Sequence, residues 1–130
     1  MIGLDTNILI RYITQDDAAQ AQRAGRLVSS FSYAEPGFIS TATVLELVWV
    51  LDSFYGFTDQ NIASAIEHVL ATDTFLVENE RDVFDAMHAL RNGLDFADAL
   101  IAASGTRVGC AQTLTFDKKA LRIPGFAPVP

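Results

Sequence analysis

Four short strand-like runs, at residues 2–4, 38–40, 75–78 and 112–115, the first three mainly apolar, alternate along the chain with longer stretches of helical periodicity. No other feature narrows the fold as much. Short strands without a polar face suit burial on both sides, and strands separated by helices are joined in parallel, with the helices packed over the sheet. The expectation is an α/β fold: one domain over residues 1–130, with a mostly parallel central sheet of four or five short strands flanked by helices on both faces. At 130 residues and 50% hydrophobic, the chain can bury one core and is too short for two.

In such a sheet, ligands bind at the carboxyl ends of the strands, where helix amino termini point their N–H groups into the crevice. Asp5 stands at that edge. Ile2 and Leu4 precede it as a strand, and Ile8, Leu9, Tyr12 and Ile13 follow it as the apolar face of a helix starting near Thr6. On this stretch alone a functional carboxylate and a helix cap worth about 1 kcal/mol are equally good readings. Asp117 repeats the placement after Thr113-Leu114-Thr115, and it too can cap the turn before Ala120-Leu121.

Two further acids stand out by their surroundings. Glu46 sits in the run 43–51, which is apolar on almost every side, so the helix predicted there must be covered all round. A carboxylate buried in it needs a partner or a metal; otherwise Glu46 marks the one solvated edge. Asp95 and Asp98, at i and i+3, fall on one helix edge, where Asp95 as N-cap and Asp98 at N3 imitate a capping box. The alanines at 97, 99, 102 and 103 let that helix pack closely and keep Asp98 near whatever lies opposite.

The rest of the chain is less specific. Helices are predicted from about 16 to 29, from 41 through Phe54, from Thr58-Asp59 with Ile62, Ile66 and Val69 inward, and from Glu80 to Asn92. The tail, with three prolines, has room for a short edge strand. His68 and His88 are surface or satisfied core histidines, since no serine or cysteine nucleophile stands at a spacing that would make a triad. The single cysteine, Cys110, excludes an internal disulfide and is expected to be a small buried residue in a reducing compartment. With no basic-then-apolar leader and no apolar run long enough to span a bilayer, a soluble cytoplasmic protein without membrane attachment is expected.

Sixteen acidic residues against nine basic ones leave a net charge of −7, which argues against a sequence-blind nucleic-acid binder unless the acids themselves hold a divalent cation. Two carboxylates ~4 Å apart repel by about 4 kcal/mol at an effective dielectric near 20. If Asp5, Glu46, Asp98 and Asp117 converge, they need cations. Hard divalent ions with oxygen ligands, Mg²⁺ or Mn²⁺, are the usual answer, and phosphates are their usual partners.

Gly3-Leu4-Asp5-Thr6-Asn7, the Ile39-Ser40 strand leading to Leu45-Glu46-Leu47, the run Asp95-Phe96-Ala97-Asp98-Ala99-Leu100-Ile101-Ala102-Ala103, and Thr113-Leu114-Thr115-Phe116-Asp117 together resemble the PIN domain, specifically the VapC-type toxins of bacterial toxin–antitoxin pairs. The likeness runs through essentially the whole chain in order. It implies a metal-dependent endoribonuclease in which Asp5, Glu46, Asp98 and Asp117 are catalytic and bind Mg²⁺ or Mn²⁺, with Asp5 and Asp98 the principal ligands. It also implies that Asp95 is an outer acid and that Thr6, Asn7 and Thr115 orient the carboxylates. The chemistry implied is in-line attack of an activated water on an RNA phosphodiester, with Glu46 or Asp117 assisting the metal or taking the proton. A cognate VapB-like antitoxin and a homodimer are implied as well, and the apolar surplus at Leu45, Trp49, Phe54, Tyr55 and Phe57 accords with both.

The alternative is a flavodoxin-like Mg-binding signalling or phosphatase module that cuts no nucleic acid. A receiver domain needs paired acids after its first strand, where Asp5 stands alone, and an acid ending the strand 75–78, where only Glu78 offers itself. A phosphatase of the haloacid dehalogenase type needs an aspartate where Asn7 sits.

Overall fold

In the computed structural model, which describes residues 1–130, three strands of the amino-terminal half pair side by side in chain order and all in parallel. They are β1 (Ile2–Gly3), β2 (Gly37–Ile39) and β3 (Phe75–Val77), with Gly3 opposite Phe38 and Ile39 opposite Val77. Parallel pairing follows from the helices that intervene: α1 (Thr6–Thr14) and α2 (Ala18–Ser30) between β1 and β2, then α3 (Thr41–Ser53) and α4 (Asp59–Ala71) between β2 and β3. These elements form one compact unit, Met1–Asn79, and residues Glu80–Pro130 form a second. The chain is thus α/β, with six helices and parallel strands, as its alternating pattern predicts.

The core of the first unit is aliphatic. Leu9 and Ile10 of α1, Ile39 of β2, Val44, Leu47 and Leu51 of α3, and Ile62 and Ile66 of α4 are all essentially inaccessible to solvent. Sheet and ring pack closely at Gly37, where a Cβ would lie 2.6 Å from the Phe31 ring, so only glycine lets that buried ring pass beneath β2. Side-chain oxygens at the helix starts satisfy the first free N–H groups: Asp17 for α2, Ser40 for α3 and Thr58 for α4.

In the second unit α5 (Glu80–Arg91) packs along α6 (Phe96–Arg107), and β4 (Thr113–Thr115) pairs in parallel with β5 (Phe126–Pro128) across a 3₁₀ turn at Ala120–Arg122. Val83, Ala86 and Met87 of α5 are buried, as are Phe96, Leu100 and Ala102 of α6. Asp82, buried beside them, is paired with Arg107 at 2.7 Å.

The five short parallel strands accord with the expectation, hydrogen-bonded as three and two because β4 finds its partner in the proline-bounded tail. Two other expectations need correction. Helix α3 is not covered all round: Val44, Leu47 and Leu51 make one buried stripe, while Ala42, Glu46, Trp49 and Ser53 make an exposed one. Trp49 is 57% exposed and Phe54 72%, the two rings meeting edge to face. Cys110 is exposed rather than buried, because it lies in the loop between α6 and β4. No helix is long and apolar enough to cross a membrane.

Candidate active site

Because β1, β2 and β3 run in parallel, their carboxyl ends share one edge, and each end is followed within two residues by a polar one. Asp5 follows β1 as the N-cap of α1, its Oδ1 accepting the N–H of Thr6 at 2.8 Å. Thr6 is buried, so the donor that orients the carboxylate is held in place. Ser40 follows β2, and its hydroxyl accepts the N–H of Thr43 at 3.1 Å. The Thr43 hydroxyl in turn reaches back to the Leu4 carbonyl at 3.4 Å. Glu78 follows β3, where its Oε1 accepts the N–H of Thr41 at 2.9 Å and its own N–H donates to Ile39. A carboxylate at the first turn of α3 is favoured by the helix dipole as well as by that bond.

Glu46 lies in the second turn of α3 and is exposed, so no burial forces it to find a partner. Of the two readings open for it in the sequence, the solvated edge is the one observed.

The second unit carries Asp95, Asp98 and Asp117, and the charges of the first and last act on Asp98. Asp95 is the N-cap of α6, and its Oδ1 accepts the N–H of Asp98 at 2.8 Å. That is the capping half of a capping box; the Asp98 carboxyl is not spent on the reciprocal bond. Burial pushes the Asp98 carboxyl above the ordinary aspartate range, and the charges of Asp95 and Asp117 push it in the same direction. No cation or hydrogen bond pulls the other way. Asp117 is held just beyond β4 by two local bonds: its N–H donates to Thr115 Oγ1 at 2.9 Å, and its Oδ1 accepts the N–H of Lys119 at 2.8 Å. It closes its own turn and does not cap the 3₁₀ turn, whose N-cap position is Lys119.

Within either unit, no three His, Cys, Asp or Glu side chains are grouped to hold a metal ion. The donors around Asp98 nonetheless suit a hard divalent cation in kind, being carboxylate oxygens whose mutual repulsion a cation would relieve. His68 and His88 are exposed and lie against Tyr12 and Phe84, which leaves them no part in a triad.

A profile of the PIN domain matches residues 2–125. The chain belongs to the PIN domain family. The match runs through both units and includes every acid considered above. No curated protein and no solved structure matches the chain significantly. PIN domains are in general metal-dependent nucleases, so membership directs this chain toward hydrolysis of nucleic-acid phosphodiesters with a divalent ion. The Thr6 N–H holds the Asp5 carboxylate, whereas the Thr115 hydroxyl holds the Asp117 backbone and not its carboxylate. Glu78, which the sequence offers as the acid ending the strand 75–78, ties the end of β3 to the start of α3 through the Thr41 N–H.

Proposed function

We propose that this PIN domain, acting as one functional domain over residues 1–130, is a metal-dependent endoribonuclease and the toxic component of a toxin–antitoxin pair in the cytoplasm. Asp5, Glu46, Asp98 and Asp117 carry its reaction. The observation that supports this best is the state of Asp98, a half-buried carboxyl pressed by two like charges with nothing of opposite sign to relieve it. Such crowding is costly in an idle protein and useful in one that binds cations.

Asp98 and Asp5 are the principal metal-binding carboxylates, and Mg²⁺ or Mn²⁺ is the ion that oxygen-only donors select. When bound, the ion supplies positive charge that activates a water and offsets charge on the scissile phosphate. The chain's own part is to hold these acids: Asp5 Oδ1 accepts the N–H of Thr6, Asp117 Oδ1 accepts that of Lys119, and Thr115 Oγ1 anchors the Asp117 backbone. Glu46, exposed and uncommitted to any helix cap, would take the proton of the attacking water or assist the ion.

A VapB-like antitoxin and a second copy of the chain are its proposed protein partners. Support comes from the exposed edge-to-face pair Trp49 and Phe54 at the end of α3, apolar surface that a solitary small domain gains nothing by showing to water.

The test is hydrolysis of single-stranded RNA by the purified chain in Mg²⁺ or Mn²⁺, with EDTA, and with Asp98→Asn. Cleavage should require the ion and fall by about a hundredfold or more in the variant, the range typical when a reacting-centre group is removed. Cleavage surviving both changes would overturn the assignment.

A further inference from the structure

Between α1 and α2 a groove of about 400 Å³ opens on the surface, and Asn7, two residues beyond Asp5, forms its near end. The floor is aliphatic, made by Ile8, Ala24 and Leu27, and two guanidiniums, Arg11 and Arg23, stand over it. They differ in how they are held. Arg11 is pinned: its Nε donates to Gln20 at 2.7 Å, and its Nη1 donates to Asp16 at 3.1 Å and to the Tyr55 hydroxyl at 3.2 Å. That leaves both N–H groups of Nη2 uncommitted on a fork that cannot swing away. Arg23 is exposed and in no ion pair. In a chain of net charge −7, this apolar slot offers an anion one arginine held by Asp16 and a second outside any ion pair.

We propose that this groove seats a nucleotide of the single-stranded RNA substrate, a phosphate on Arg23 and Arg11 and the base against Ile8, Ala24 and Leu27. The proposal rests on the endoribonuclease reading and adds where the strand lies. A pocket of this size with a few placed donors suits one nucleotide, the arginines meeting its phosphate and the apolar side chains the face of its base. Arg11 is six positions beyond Asp5, about 9 Å along the helix axis, so a phosphate held there and a phosphodiester at Asp5 can belong to neighbouring parts of one strand.

The experiment measures anisotropy of a labelled single-stranded RNA oligonucleotide titrated with the Asp98→Asn chain in Mg²⁺, alone and with Arg23→Glu, Arg23→Lys or Arg26→Glu added. Arg26 is exposed on the same helix but outside the groove, and controls for charge. Arg23→Glu should weaken binding by about fivefold or more and lower the slope of log K against log salt by about 0.7 for each phosphate that is no longer neutralised. Arg23→Lys should retain most of the affinity and Arg26→Glu nearly all. With Asp98 restored, Arg23→Glu should raise KM for RNA and leave kcat near its original value. Unchanged binding in Arg23→Glu, or an equal weakening in Arg26→Glu, overturns the groove as the RNA seat, leaving it to a polypeptide partner, and does not touch the nuclease reading. Arg23-dependent binding by a chain that cuts no RNA would do the reverse.

Discussion

Asp98 shows how a single carboxyl reports on its neighbours. Its raised pKa arises from burial first and then from Asp95 and Asp117, so ionising it costs the folded protein more than the unfolded chain. The folded state therefore holds this proton at pH values where the unfolded state has lost it. Stability from this group is at its best below the ordinary aspartate value and is lost as pH rises through the raised one. In EDTA at neutral pH, Asp98→Asn should accordingly raise the melting temperature, and it should flatten the acid-side pH dependence of stability. A thermal melt across that range decides the point; a lower melting temperature in the variant would show that the carboxylate is not under strain. Mg²⁺ or Mn²⁺ should raise the melting temperature of the original chain more than that of the variant.

At the scale of elements, two junctions lend themselves to measurement. In the second unit, α5 and α6 are tied by Arg107 to Asp82, whose side chain is only 7% exposed while the arginine is 44% exposed. Removing the arginine leaves a buried carboxylate unpaired, although water can reach it from the arginine's side. Arg107→Ala should cost about 1–3 kcal/mol in urea denaturation, less than for a fully enclosed pair. In the first unit, β2 passes over the Phe31 ring at Gly37 with no room for a Cβ. Gly37→Ala should cost about 1–3 kcal/mol by forcing that ring aside, and a neutral result would mean the ring moves freely.

On the scale of the whole molecule, a net charge of −7 sets the terms for binding RNA, since any strand must be drawn by local cations or by bound divalent ions. RNA affinity should therefore be both salt-sensitive and metal-sensitive. On the proposed reading, the exposed Trp49 and Phe54 pair is the counterpart for protein partners. Replacing both by serine should leave the melting temperature within a few degrees, because little buried area is removed, while shifting sedimentation toward monomer. Unaltered sedimentation of an oligomer would place its interface elsewhere.

What the sequence determined by itself is the order of elements and the identity of the acids. Apolar runs of strand length alternating with helical periods leave parallel pairing as the main solution, and β1, β2 and β3 follow it within about a residue of their expected bounds. Asp5, Asp95 and Asp117 were also legible, since a strand end or helix start is a local event set by neighbouring residues. Tertiary structure alone decided the rest, because exposure and pairing depend on what packs from afar. It opened one stripe of α3, so that Glu46 stands in solvent; it gave β4 a partner in the tail; and it set Asp98 against two like charges. Periodicity states which side of a helix is apolar. Only the packed chain states which side is covered.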